Sequence, residues 1–195
     1  MRSTVNLILA SKSAARQTML RNAGLTFQSL PADIDEHALI TDNAEKSAEI
    51  ISSAKAQAVS KLHPDALVIG SDQVLVFEDQ IITKSRNKSA AIEKLNCMSG
   101  RTHRLISGAS VACNGKIIWS HTAHADLTMH DLDDDFIQTY ADQAGDVLTA
   151  CVGGYAYEAH GAWLFERVEG DYFTILGMPL LPLLSYLRTE HGVSL

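Results

Sequence analysis

The stretch Leu7–Leu20, LILASKSAARQTML, most narrows what this chain can fold into. An apolar run, Val5, Leu7, Ile8 and Leu9, gives way to the hydroxyl residues Ser11 and Ser13. From Arg16 onward Met19, Leu20 and Ala23 recur with helical spacing. That order reads as strand, tight loop and helix, the building unit of an α/β sheet protein. Such a loop aims backbone N–H groups and the positive end of the helix dipole at its contents, so Ser11, Ser13 and Arg16 make a candidate anion site. The same residues also fit a plain capped helix start carrying a surface arginine.

A chain of 195 residues, 46% of them hydrophobic, suits one well-packed domain spanning the whole length. The net charge of −7 and the lack of any Lys/Arg run argue against a nucleic-acid polymer as partner, so a phosphate contact must be local. Cys97, Cys113 and Cys151 are odd in number and far apart, with no C-x-x-C, as expected of reduced thiols in a cytoplasmic protein. No apolar run approaches the length of a membrane span, and the N-terminus lacks the pattern of a secretory signal.

Along the chain the helical and strand periods alternate without a linker. Gly24 is expected to end the first helix, and Phe27 to Ile34 reads as a short strand running into Asp33, Asp35 and Glu36, a solvated turn or a carboxylate cluster able to hold a divalent cation. Asp42 and Glu45 have capping-box spacing before a helix with Ala48, Ile51, Ala58, Val59 and Leu62 on one face. Lys55 falls on that apolar stripe, where its ammonium either meets an anion or snorkels outward. The run Ala66 to Gly70 reads as a buried strand delivering Ser71, Asp72 and Gln73 at its end; Asp72 is then a cap, or a metal ligand and proton acceptor in a cleft. VLVF, a three-residue EDQ connection and IIT predict a hairpin returning the chain to Lys84.

Asn87 is placed to cap a helix that stops at Gly100, and Thr102 to Met129 alternates as two long strands joined at Asn114-Gly115. His121 and His124 fall on opposite faces of a strand, which does not favour zinc. A helix follows the acidic run Asp131 to Asp135, and from Leu148 a glycine-rich, strand-like stretch carries Glu158 between Gly154 and Gly161. Pro179 suits the first turn of a last helix. The P-loop, G-x-G-x-x-G and G-x-S-x-G signatures are absent.

ASKSAAR at Ala10 to Arg16, Asp35 and Glu36, AKAQAV around Lys55, SDQV at Ser71 to Val74, Lys84, SGRTH at Ser99 to His103, GAWLFE and GDYFTILGMPL together resemble the Maf family of nucleoside triphosphate pyrophosphatases over nearly the whole chain. The resemblance implies an elongated, twisted mixed β-sheet flanked by helices, with two lobes around a central cleft, as in Maf and ITPase-like folds. It also implies metal-dependent attack of water on a nucleoside triphosphate, with Mg²⁺ or Mn²⁺ as cofactor, giving a monophosphate and pyrophosphate, and a homodimer in the cytoplasm. Carried onto this sequence, Asp72 is the proton acceptor, Glu36 and Asp72 hold the metal, Lys84 joins them in catalysis, and Ser11, Ser13, Arg16 and Lys55 grip the triphosphate.

Departures from the family pattern bear on substrate choice. Ala15 stands where a basic residue is usual, and Thr83 and Ser85 flank Lys84 where Gly and Pro are common. Gln73 and Glu158 resemble the branch acting on 7-methyl-GTP more than the dTTP/UTP branch, while Ala15 matches neither well. Two other readings are a non-catalytic nucleotide-binding regulator of cell septation and an unrelated metal-dependent phosphatase using Asp33 and Asp35.

Overall fold

In the computed structural model, which describes residues 5–193, a mixed sheet runs through the protein. Its strands are β1 (Leu7–Leu9), β2 (Gln28–Ser29), β3 (Leu67–Phe77), β4 (Gln80–Ile82), β5 (Thr102–Cys113), β6 (Lys116–Met129) and β7 (Phe165–Gly170). The order across the sheet is β2-β1-β3-β5-β6-β7, with β4 also on β3. Strand β1 is parallel to β2 and β3, and the other pairs are antiparallel. The helices are α1 (Ala14–Asn22), α2 (Ala44–Leu62), α3 (Lys88–Met98), α4 (Asp134–Ala144), α5 (Val147–Ala150), α6 (Tyr172–Ile175) and α7 (Leu180–His191).

The pairing of β3 creates the feature that matters for function. One edge is held by β5 from Val68 to Val76. On the other edge β1 pairs with Leu67 to Ile69, and β4 pairs with Leu75 to Phe77. Gly70 to Val74 therefore lie between two partners that diverge, and the sheet opens there into a gap with two lips. A separate apolar core sits behind each lip. Leu7, Leu9, Leu20, Ile69, Val111, Leu183 and Leu187 pack behind the β1 side. Leu75, Leu95, Met98, Leu105, Leu127, Met129 and Ile137 pack behind the β4 side. The expected two lobes and central cleft are this arrangement.

Local signals explain most elements. Ser13 caps α1 by accepting from the Arg16 N–H at 3.4 Å, and Asn87 caps α3 by accepting from Ala90 at 2.9 Å. Asn114 and Gly115, with φ of 49° and 72°, turn the β5–β6 hairpin. Several expectations are corrected. The α2 cap is Asn43, which accepts from Lys46 N at 2.9 Å, one residue beyond the expected Asp42. Strand β3 does not stop at Gly70, because the polar side chains after it find partners on α2, on β5 and on the Thr174–Gly177 segment. The β3–β4 hairpin turns on two residues rather than three, since Glu78 and Asp79 at φ 50° and 60° adopt the paired left-handed conformation whose twist matches the strands. Pro31 lacks the N–H a longer second strand needs, and only Gln28 and Ser29 pair with β1. The glycine-rich stretch after Leu148 is mostly turns and short helices, with a strand only at Phe165–Gly170. Aromatic packing holds it instead: a Cβ on Gly153 would lie 2.2 Å from the Tyr155 ring.

Candidate active site

Asp72 sits in the middle of the gap, on the face of β3 that receives α2. Alternation puts Gly70 on the same face. A Cβ there would lie 2.1 Å from the Ser52 carbonyl, and one on Gly108, the β5 partner of Asp72, would lie 2.5 Å from the Ala48 carbonyl. The two glycines let α2 press its backbone onto the sheet. That contact carries Lys55 inward to Asp72: Nζ donates to Asp72 Oδ1 at 2.8 Å, with the two residues only 7% and 8% exposed. The same ammonium lies 2.9 Å from Glu36 Oε2, whose side chain is 51% exposed. Lys55 thus meets its anions, and the snorkelling alternative is not what the fold does.

Glu36 reaches the cluster from the loop leading to a short 3-10 helix, His37–Leu39. Its neighbour Asp35 accepts from the Ala38 N–H at 3.3 Å and acts as a turn cap, while Asp33 is exposed. Neither aspartate stands at the end of a long buried strand, as a phosphoryl-accepting pair would require.

The first lip is the β1–α1 loop. Arg16 is 9% exposed, and its guanidinium spans three parts of the fold. Nε donates to the Gly177 carbonyl at 2.8 Å, and Nη1 donates to the Ser71 carbonyl at 2.9 Å and to Ser11 Oγ at 3.4 Å. The Ser71 carbonyl belongs to the β3 segment that has no strand on the edge between β1 and β4, and Arg16 supplies a donor to it there. Burial pulls the guanidinium below its ordinary pKa, against the opposing fields of Asp72 and Glu36. Arg16 therefore lies beside the acid cluster, but much of its hydrogen-bonding capacity is spent on backbone. Ser11 is buried and accepts from Ser13 N–H at 3.2 Å, and Ala15 is half-buried in the first turn of α1.

Gln73 is partly buried and its amide nitrogen donates to the carbonyls of Thr174 and Ile175 at 3.1 and 3.0 Å. Ser107 Oγ donates to the Thr174 carbonyl at 2.8 Å, and Ser71 Oγ to the Gly177 carbonyl at 2.9 Å. This strap across the floor was not foreseen from sequence; its only trace was the resemblance of GDYFTILGMPL to a family motif. The donors and acceptors are 67 to 106 positions apart, beyond any local pattern.

The second lip carries Lys84, which follows β4, is exposed and takes no part in the ion pairs around Asp72. Extending the β3–β4 register brings it level with the gap, but the structure does not join it to the cluster as it does Arg16 and Lys55. Glu158, also exposed, comes from the turn-rich segment on the same side. Both act on Cys151: burial pushes this thiol up, Glu158 adds to the rise and Lys84 opposes it. Lys84 and Glu158 thus both lie within electrostatic reach of Cys151.

Chemically, the gap offers a buried carboxylate held by an ammonium, a second and more exposed carboxylate beside it, a helix N-terminus and a guanidinium. Among the described residues no group of three or more His, Cys, Asp or Glu side chains forms a metal cage. Two carboxylates at one point match the donor set of a magnesium-type ion that takes its remaining ligands from phosphates and water.

The Maf-like protein family profile matches residues 6–190. A 7-methyl-GTP pyrophosphatase of Brucella abortus is 46% identical over 193 residues, covering 96% of this chain and 97% of that protein. A nucleoside triphosphate pyrophosphatase of Nitrobacter winogradskyi is 43% identical over 198 residues, covering 100% of this chain and 98% of its own. Among solved structures, a HAM1 protein from Coxiella burnetii is similar with a TM-score of 0.46 and 15% identity, over 66% of this chain and 74% of that one.

Proposed function

This chain belongs to the Maf family, and from that membership together with the cluster in the gap we propose that it is a nucleoside triphosphate pyrophosphatase, hydrolysing its substrate to a monophosphate and pyrophosphate. The observation that carries the residue assignment is Lys55 Nζ, which holds Asp72 at 2.8 Å and Glu36 at 2.9 Å in the open middle of β3.

In this reading Asp72 accepts the proton of the water that attacks the α-phosphate. Lys55 fixes the Asp72 carboxylate, so the base does not need to be reoriented when the substrate arrives. The N–H groups at the start of α1, with Ser11, Ser13 and the part of Arg16 not spent on carbonyls, receive phosphate oxygens from the first lip. Lys84 binds the β- and γ-phosphates from the second lip, gripping them in the bound substrate as strongly as in the departing pyrophosphate. Glu36 and Asp72 are the residues that would hold Mg²⁺ or Mn²⁺, which when bound supplies charge neutralisation on the phosphate oxygens. The substrate is proposed to be 7-methyl-GTP: an acceptor-only carboxylate at Glu158 suits the adjacent donors of a guanine edge and the positive charge of an N7-methylated ring. Gln73, whose amide nitrogen is anchored on α6, would act on specificity by fixing that segment against β3, and Ala15 keeps the first lip uncrowded. The enzyme is taken to be cytoplasmic and homodimeric; its cysteines are free thiols, and no helix among the described residues is long and apolar enough to cross a membrane.

The test is a hydrolysis panel of 7-methyl-GTP, GTP, dTTP, UTP and CTP with Mg²⁺ or Mn²⁺. Wild type should release pyrophosphate, fastest from 7-methyl-GTP, and Glu158→Gln should narrow that preference. Asp72→Asn should remain folded and lose about a hundredfold or more in kcat. Orthophosphate as the product, or nucleotide binding without turnover, would overturn the assignment, and an unchanged preference in Glu158→Gln would remove Glu158 from it.

A further inference from the structure

Lys94 lies on α3, behind the second lip, in a concavity lined by Phe77, Ile82, Met98 and Arg101. A lysine on the outer face of a helix ordinarily extends its ammonium into water. This one is half-buried, and its Nζ donates to two backbone carbonyls: Thr83 at 2.7 Å and Val152 at 2.9 Å. Burial brings the ammonium down to about 8. The acid on the same rim, Glu78, is paired with Arg101 instead. An unfavourable placement is kept, and what it achieves is the joining of two segments far apart in sequence.

Those two segments are the ones that bear the second lip. Thr83 immediately precedes Lys84. Val152 follows Cys151, the thiol on which the fields of Lys84 and Glu158 converge. Thr83 to Arg86 contains no proline to restrict its backbone, Lys84 is exposed, and the buried Ser85 hydroxyl has no hydrogen-bond partner among the described residues, so the Lys94 ammonium on the Thr83 carbonyl is an anchor the segment does not supply itself. The Val152 side has its own supports further along, where Tyr140 donates to the Gly154 carbonyl at 3.1 Å. Lys94 ties the freer segment to the better-held one.

We propose that Lys94 is a positioning residue for the reaction: by bridging the Thr83 and Val152 carbonyls it holds Lys84 and Glu158 at a fixed separation, so that one nucleotide meets both. The inference rests on the proposed function, since it gives Lys84 and Glu158 a shared substrate. Lys94 touches no reacting atom; it acts through those two side chains. Its loss therefore weakens substrate grip and base discrimination more than the chemical step, which belongs to Asp72 in the middle of the gap.

The experiment compares wild type, Lys94→Met, Lys94→Arg, Lys84→Met and Lys94→Met combined with Lys84→Met, with kcat and KM measured by pyrophosphate release from 7-methyl-GTP and UTP. Wild type and Asp72→Asn run alongside: absent pyrophosphate release by wild type sinks the functional reading itself, separately from the Lys94 result. Lys94→Met should raise KM about tenfold, the worth of one hydrogen-bonded tether, with kcat within about twofold, and should narrow the ratio between the two substrates. Lys94→Arg, which retains donors, should recover most of the KM. In the double variant the two KM effects should combine to less than their product, because both act through Lys84. If Lys94→Met fails to fold, Lys94→Gln, which keeps an amide donor for one carbonyl, takes its place with a smaller KM rise expected. A folded Lys94 variant with wild-type KM and substrate ratio, or one that loses kcat alone, overturns the proposal.

Discussion

At Lys55 one ammonium sits between a buried carboxylate and a half-exposed one. The burial of Lys55 and Asp72 is tolerable because they are paired; removing Lys55 would leave the Asp72 carboxylate without its hydrogen-bonded partner, whereas Asp72→Asn leaves Lys55 paired with Glu36. A different cost is visible at His103. This buried imidazole meets the Tyr155 hydroxyl through Nε2 at 2.5 Å, while Nδ1 has no partner among the described residues. Desolvation, opposed by Asp126, lowers its pKa from 6.5 to about 4. In the unfolded chain the same side chain takes up a proton near 6.5, so between pH 6.5 and 4 the unfolded state binds more protons and stability falls as the solution is acidified. The full effect is roughly 3 kcal/mol, complete by about pH 4. Urea unfolding from pH 7.5 to 4 should show this loss, and His103→Gln, which cannot titrate, should show less of it; an identical acid dependence in the two proteins would contradict the assignment.

At the scale of elements, the site is made by one helix lying unusually close to one strand. Gly70→Ala would put a methyl group 2.1 Å from Ser52 O and 2.6 Å from Ala56 N, both helix backbone atoms with nowhere to go. The expected outcome is a loss of about 2 kcal/mol in denaturant unfolding together with a fall in turnover, because the displacement of α2 draws Lys55 from Asp72. Retained activity at wild-type stability would show that the close approach is not needed. The strand-loop-helix unit at Leu7–Leu20 was legible because hydrophobic period and capping chemistry are local. So was α2 with Lys55 on its buried face, since the offset from Ile51 is written in the sequence. The continuation of β3 through Ser71, Asp72 and Gln73 was not, because the carbonyls that satisfy Ser71 and Gln73 come from Gly177 and Ile175, and the ammonium that pairs Asp72 comes from Lys55. The stretch after Leu148 misled for a related reason: its glycines serve aromatic packing rather than strand bulges.

The whole molecule is a sheet that parts along one edge of β3, with an apolar core anchoring each lip. Candidate residues from Ser11 to Lys55 stand on the β1 side and Lys84 with Glu158 on the β4 side, so a substrate able to use both must span the opening, as a base with a triphosphate does. The sequence resemblance pointed to these residues together, yet only coordinates separate those that converge on Asp72 from those that face it across the gap. The claim at the centre of this account is attack on the α-phosphate from the Asp72 side. Hydrolysis of 7-methyl-GTP in oxygen-18 water, with mass analysis of both products, tests it most directly. The account predicts label in the monophosphate and none in the pyrophosphate; label in the pyrophosphate, or orthophosphate as the labelled product, would contradict it.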